Sequence, residues 1–247
     1  MTSAIYGFSK FLCWLFLRLG FGLQVEGQAR VPRAGGCVIA SNHVSFLDPI
    51  VVGVACPRRL TFMARSSLFT RPFLGWWLRG VGAIPVTRDE ADLPAVRAAL
   101  QALRGGQPMA LFPEGTRQPD GRLGAARRGI GLLACGAAVP VVPLYLHGTH
   151  AALPRGARWF RRAKIRVAFG APIPYTTPSA PTENAPAAAS GVSTSQQSTP
   201  PGGAEGSPGH LAASHGGAPS RAEHERVAQA VTAAWHELAA RRAVADP

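Results

Sequence analysis

Between residues 23 and 169 apolar and polar positions fall into a rhythm: short unbroken apolar runs alternate with stretches whose apolar residues recur at three and four. Runs of four to eight residues have the length of buried strands, and the three–four recurrence marks one face of a helix. Residues 23–31 and 37–41 read as two strands joined by the Pro32-Arg33-Ala34-Gly35-Gly36 turn. Asp48-Pro49 is a helix-start pair, Asp at the N-cap and Pro in the first turn, with Ile50 to Ala55 behind it. Further strands are predicted at residues 60–63, 81–86, 109–112, 139–146 and 164–169. A clean stripe at Leu93, Val96, Leu100 and Leu103 predicts a helix that stops at Gly105-Gly106, and a small-residue helix runs from Arg127-Arg128-Gly129 to Gly136. Strands alternating with helices over this length predict an α/β fold: a single domain over residues 24–177, with a mostly parallel or mixed sheet flanked by helices.

The ends of the chain have a different pattern. Residues 4–23 are the most aromatic stretch, interrupted by Lys10 and Arg18. A spanning helix wants about 18 or more apolar residues with few charges, and a signal peptide carries its cations ahead of the apolar run. Residues 1–23 are therefore expected to form a helix lying in a membrane interface with both cations snorkelling, set against the plainer reading of a core helix. Residues 68–78 are again apolar and aromatic, as core or as an interfacial patch. Residues 178–220 consist mainly of Pro, Ser, Thr, Ala and Gly without a period and read as a disordered linker. A stripe at Val227, Val231, Trp235 and Leu238 then predicts a terminal helix within residues 221–247 that docks back on the domain.

Composition narrows the partners. Net charge is +13 with 16% charged residues, and only Lys10 and Lys164 are lysines, so arginine supplies nearly all the positive charge. Such a balance favours anionic partners, and guanidinium groups suit bidentate phosphate binding; an arginine-rich coding bias would give the same count. Cys13, Cys37, Cys56 and Cys135 are scattered among apolar residues with no metal-ligand spacing, which fits a reducing compartment. Neither base-stacking motifs nor a recognition helix appear, so a nucleic-acid partner is not expected. Residues 155–166, with Trp159 and Phe160 among arginines, suit an acidic membrane surface.

Candidate chemistry gathers at predicted strand ends. His43 falls in a strand-to-helix turn and Asp48 about one turn later, near enough for a carboxylate to fix the imidazole tautomer and leave the other ring nitrogen as a base. The same pair also occurs as simple turn chemistry. Arg88 ends one predicted strand, and Glu114-Gly115-Thr116-Arg117 follows another; either arginine alone reads equally as a solvated charge. Ligands of open α/β sheets bind at the carboxyl ends of strands. Two arginines beside a histidine–aspartate pair point to a phosphorylated substrate whose hydroxyl is deprotonated. No Gly-x-Ser-x-Gly elbow is present, Ser45 reads as structural, and backbone amides near the helix start are candidates for holding an oxyanion.

Four ordered blocks carry a resemblance: Asn42-His43-x-Ser45-x-x-Asp48, Gly82-x-Ile84-x-x-x-Arg88, Phe112-Pro113-Glu114-Gly115-Thr116-Arg117 and Val139-Pro140-Val141-Val142-Pro143. Across residues 20–175 the chain resembles the glycerolipid acyltransferases, and more narrowly the bacterial 1-acyl-sn-glycerol-3-phosphate acyltransferases. The resemblance implies that His43 is the general base and Asp48 its orienting partner. It implies that Arg88 and Arg117 bind the phosphate of a lysophospholipid acceptor, in a pocket shaped by Glu114, Gly115 and Thr116. The acyl group would arrive as a thioester of coenzyme A or acyl carrier protein, with no resident cofactor and no metal. Such an enzyme would sit on the cytoplasmic face of an anionic membrane as a peripheral or monotopic protein. Two positions depart from the pattern: Gln118 stands where Ser is usual, and Arg127 where Lys is common.

Overall fold

A computed structural model describes residues 2–87, 92–154, 156–175 and 219–245. Along the chain run α1 (Thr2–Phe21), β1 (Gln24–Glu26), β2 (Val38–Ser41), α2 (Asp48–Ala55), β3 (Thr61–Arg65), α3 (Pro72–Val81) and β4 (Ile84–Val86). They are followed by α4 (Leu93–Arg104), β5 (Met109–Leu111), α5 (Gly129–Ala137), β6 (Val141–His147), α6 (Thr149–Ala152), β7 (Arg166–Phe169) and α7 (Arg221–Ala245). The seven strands form one sheet in the order β1-β7-β6-β2-β5-β3-β4, in which only β6 and β7 pair antiparallel. The fold is thus α/β, a mixed sheet flanked by helices and preceded by an N-terminal helix.

Strand β2 lies near the middle of this sheet, and all four of its residues are buried. A strand covered on both faces must be apolar on both. Ile39 joins the core formed with Leu17 and Phe21 of α1 and Val51, Val52 and Ala55 of α2. Val38 and Ala40 point to the opposite core, with Ala99 and Leu103 of α4, Ile130 of α5 and Val231 and Trp235 of α7. The terminal helix packs against α5 and β6, and the fully buried Trp235 donates its indole N–H to the Ala40 carbonyl at 3.0 Å. Residues 176–218, which include most of the predicted linker, lie outside the described residues.

Local structure departs from the sequence expectations in several places. The first apolar run is a strand for only three residues, because Gly27 turns into the left-handed region (φ 73°) and opens a 3-10 turn. A Cβ at Gly27 would lie 2.7 Å from the Phe169 carbonyl oxygen, so the close approach also demands glycine. The turn at residues 32–36 does not make its flanking strands neighbours: β1 pairs with β7, and β2 with β5 and β6. Helix α6 has only four residues, too few to leave a period in the sequence.

Helix α1 packs on α2 and α3 through its buried Leu17 and Phe21. Its half-buried Lys10 and exposed Arg18 each donate to a backbone carbonyl. Lys10 Nζ donates to the Cys56 carbonyl at the end of α2, and Arg18 Nη1 to the Leu23 carbonyl. The reason is local: carbonyls at helix ends lack intrahelical partners and accept nearby cationic donors. Phe8, Phe11, Leu12, Trp14, Phe16 and Leu19 remain exposed, as do Phe73 and Trp76 of α3. The Ala4–Phe21 window, with mean hydropathy 1.3, is long and apolar enough to cross a membrane, and only 11% of it is buried. Phe160 packs edge-on against Phe16 and Phe21, extending this aromatic face to the segment before β7.

Candidate active site

Parallel pairing of β2 with β5 places the loops that follow them at one edge of the sheet. Asn42 fixes the exit of β2: its side chain accepts from the Leu146 amide at 2.7 Å and donates to the Leu146 carbonyl. Ser45 fixes the turn that follows, donating its hydroxyl to the Leu153 carbonyl at 2.8 Å and accepting from the Leu47 amide. Within this turn His43 Nδ1 lies 2.9 Å from Asp48 Oδ2. The aspartate is fully buried and the histidine side chain 19% exposed, so the carboxylate is shut from water while the ring reaches it.

Asp48 does not cap α2, as the sequence suggested. It is the first residue of the helix, behind Leu47 at the N-cap, and its side chain reaches backward. Oδ2 accepts from the amides of Val44 at 2.6 Å and Ser45 at 2.7 Å as well as facing the ring. Three donors converging on one buried oxygen outcompete a single helix amide. With Nδ1 carrying the proton toward the carboxylate, Nε2 is left to accept one. The arrangement also engages the Val44, Ser45 and Leu47 amides, so these are not open to an oxyanion.

The loop after β5 abuts this turn. Glu114 is buried; its Oε1 accepts from the His43 amide at 3.3 Å, and the Gln118 amide donates to the His43 carbonyl at 2.8 Å. Burial pushes the Glu114 pKa up, against hydrogen bonds from the Gln118 side chain and the amides of His43 and Gly124. Gly115 turns with φ 75°, and a Cβ there would lie 3.2 Å from the Arg127 guanidinium carbon. Thr116 is exposed. Arg117 stretches back over the first loop, its guanidinium carbon 3.4 Å from the centre of the Phe46 ring. The structure therefore brings together His43, Asp48, Glu114, Gly115, Thr116 and Arg117. Arg88 lies outside the described residues, between Thr87 and Asp92; the Asp92 carboxylate accepts from the Thr87 amide and hydroxyl and caps α4 through the Ala95 amide.

Two aromatic residues at this edge have roles that the sequence alone does not mark. The Phe112 ring stacks on the His43 imidazole with centroids 4.2 Å apart, and Phe46 supports Arg117. Both lie inside the quoted blocks, and aromatic type at those positions was the available signal. A cavity of about 590 Å3, lined in part by Arg58, Arg59, Thr61 and Gln107, opens at the amino ends of β3 and β5, away from this chemistry.

A model of the family described as Acyltransferase matches residues 22–147, just over half of the chain. The chain belongs to the acyltransferase family. Among similar members, a chloroplastic 1-acyl-sn-glycerol-3-phosphate acyltransferase of Brassica napus is 31% identical over 154 residues, 61% of this chain and 44% of that protein. A 1-acyl-sn-glycerol-3-phosphate acyltransferase of Bacillus subtilis is 27% identical over 170 residues, 68% of this chain and 82% of that protein. The crystal structure of the 1-acyl-sn-glycerophosphate acyltransferase of Thermotoga maritima superposes with a TM-score of 0.61 at 25% identity, covering 70% of this chain and 68% of that one. The chain thus spans less than half the length of its plant relative and most of its Bacillus relative.

Proposed function

We propose that this acyltransferase moves a fatty acyl group from a thioester to the sn-2 hydroxyl of 1-acyl-glycerol 3-phosphate, giving phosphatidic acid. The observation that carries the reading is the His43–Asp48 pair, with Nδ1 held at 2.9 Å by a carboxylate that two backbone amides lock in place. The relatives named for this activity supply the substrate class.

An alcohol is a weak nucleophile at neutral pH, and a positioned base contributes about 100- to 10,000-fold. Nε2 of His43 takes the hydroxyl proton as the oxygen attacks the thioester carbonyl carbon. Asp48 stabilises the imidazolium that forms, and the stacked Phe112 ring favours the same cation through its π face. When the carbon–sulfur bond breaks, the imidazolium returns the proton to the departing thiolate. Both bond changes run between two substrates with one shuttled proton, so the step needs no metal or resident cofactor. Arg117, together with Arg88, is assigned to the acceptor phosphate, and Glu114, Gly115 and Thr116 to the shape of its pocket. The donor is acyl-CoA or acyl carrier protein. The exposed aromatic face of α1 and α3 is assigned to the anionic, cytoplasmic face of a membrane, where the lipid acceptor resides.

The test is turnover on a panel of lyso-acceptors with one thioester donor, comparing the natural chain with His43→Ala. Lysophosphatidic acid should be used best, and the variant should lose at least 100-fold in kcat on it. Retained turnover in His43→Ala would overturn the base; preference for glycerol 3-phosphate or a lyso-aminolipid would overturn the acceptor.

A further inference from the structure

We propose that the segment Arg158-Trp159-Phe160-Arg161-Arg162 is a docking surface for anionic lipid headgroups, a second membrane contact beside α1 that makes lipid binding depend on headgroup charge. The inference rests on the reading that the aromatic face of α1 meets a membrane, and adds the element that selects the charge of that surface.

The segment is tied down while its side chains stand in the open. The Arg161 amide donates to the Ala152 carbonyl at 2.8 Å, and the Ile165 amide to the Phe21 carbonyl at the end of α1 at 3.1 Å. Ile165 is fully buried, and the backbone at Lys164 passes so close to Gly148 that no Cβ would fit there. Trp159 is nevertheless 84% exposed, and Arg158, Arg161, Arg162 and Lys164 are exposed as well. An indole so open has no packing role within the chain, whereas amphipathic rings of this kind favour the headgroup level of a bilayer.

Phe160 gives the segment its direction. Its ring meets Phe16 and Phe21 edge-on, at centroid distances of 5.4 and 5.9 Å, so the segment continues the exposed aromatic face of α1. Apolar rings flanked by cations match the boundary between acyl chains and acidic headgroups. An acidic soluble protein would match the cations but not the contiguous aromatic face. The positive charge is also undiluted: residues 1–25 and 121–175 contain no Asp or Glu. Among the described residues no carboxylate pairs with Arg158, Arg161, Arg162 or Lys164.

The same ties reach the candidate active site. Consecutive carbonyls at the end of α6 serve both segments, Ala152 accepting from the Arg161 amide and Leu153 from the Ser45 hydroxyl of the His43–Asp48 turn. A headgroup layer gripped by the arginines would therefore lie at a fixed distance from His43.

The experiment sediments the full chain with vesicles of phosphatidylcholine alone, and of two parts phosphatidylcholine to one part phosphatidylglycerol. The natural chain is compared with Arg158→Gln/Arg161→Gln/Arg162→Gln, with Trp159→Ala, and with a control, Arg221→Gln/Arg226→Gln/Arg241→Gln, that removes the same charge from exposed positions of α7. Thermal melting checks that each variant folds. Neutralising the three loop arginines should weaken binding to the mixed vesicles about a hundredfold and leave binding to phosphatidylcholine within about twofold. Trp159→Ala should weaken binding to both about fivefold. The α7 control should stay within about twofold on either vesicle. Full binding by the loop variants, beside strong binding by the natural chain, overturns the segment's role and leaves α1 as the membrane contact. No binding of the natural chain to either vesicle overturns the membrane assignment and the inference with it. An equal loss in the α7 control would reduce the effect to net charge. Unchanged vesicle binding with a raised KM for an acyl carrier protein donor would assign the segment to that acidic protein; either result overturns the proposal.

Discussion

The loop after β2 and the loop after β5 lie side by side, yet they are secured by different means. In the first, polar side chains bind backbone groups of the loop and of the segments beside it: Asp48 binds two loop amides and the ring, Ser45 a loop amide and the Leu153 carbonyl, and Asn42 both polar groups of Leu146. In the second, a glycine in the left-handed region makes the bend, a buried carboxylate sits where burial disfavours its charge, and the arginine lies on a ring. The difference suits the roles proposed for each. A base has to hold its position to within tenths of an ångström when the proton moves. An anion pocket needs concavity and charge, and tolerates a looser frame.

The strongest way to break this contrast is to strip the charge from the first loop. Asp48→Asn keeps the shape but removes the counter-charge for the imidazolium, and kcat should fall at least 100-fold while the acceptor KM changes little. A comparable rise in KM would show that the first loop also carries the phosphate. Gly115→Ala attacks the frame of the second loop: φ of 75° and the nearby Arg127 should cost about 1–2 kcal/mol in denaturant unfolding, with a raised KM and a preserved kcat. Ser45→Ala removes one buried hydroxyl from the first loop and should cost about 1 kcal/mol, with kcat more affected than KM.

The smallest effect is a slope. Because burial raises the Glu114 pKa, this group favours the folded state most below its ordinary value of 4.5 and loses that contribution as pH rises through the folded value. Glu114→Gln removes the titration and retains an acceptor for the His43 amide. The melting temperature of the natural chain relative to this variant should therefore decline from acid toward neutral pH; a difference independent of pH would mean that burial is not what perturbs the carboxyl.

Much of this site was legible because blocks at strand ends are contiguous in sequence. The alternation of short apolar runs and helical stripes located β2, β5 and α4, and the parallel order then brought the two loops together. What escaped was contact across the chain. Asp48 followed by proline satisfies the rule for an N-cap, and nothing local reveals that the Val44 and Ser45 amides compete for the same oxygen. Lys10 and Arg18 inside an apolar run give no local sign of the Cys56 and Leu23 carbonyls that accept from them. Phe46 and Phe112 read as ordinary apolar residues, since stacking partners lie beyond any local period.

Trp235 carries a consequence for how the protein comes into being. The strand that leads into the His43 turn receives an indole donor from the last described helix, nearly two hundred residues downstream. During synthesis the His43–Asp48 turn can be made early, but one side of its supporting strand stays only partly covered, by α4 and α5, until that helix has left the ribosome. A nascent chain stalled within the preceding Pro- and Ser-rich stretch would expose an apolar trough to chaperones and proteases, which makes translation of the final helix the step that commits the molecule to survival.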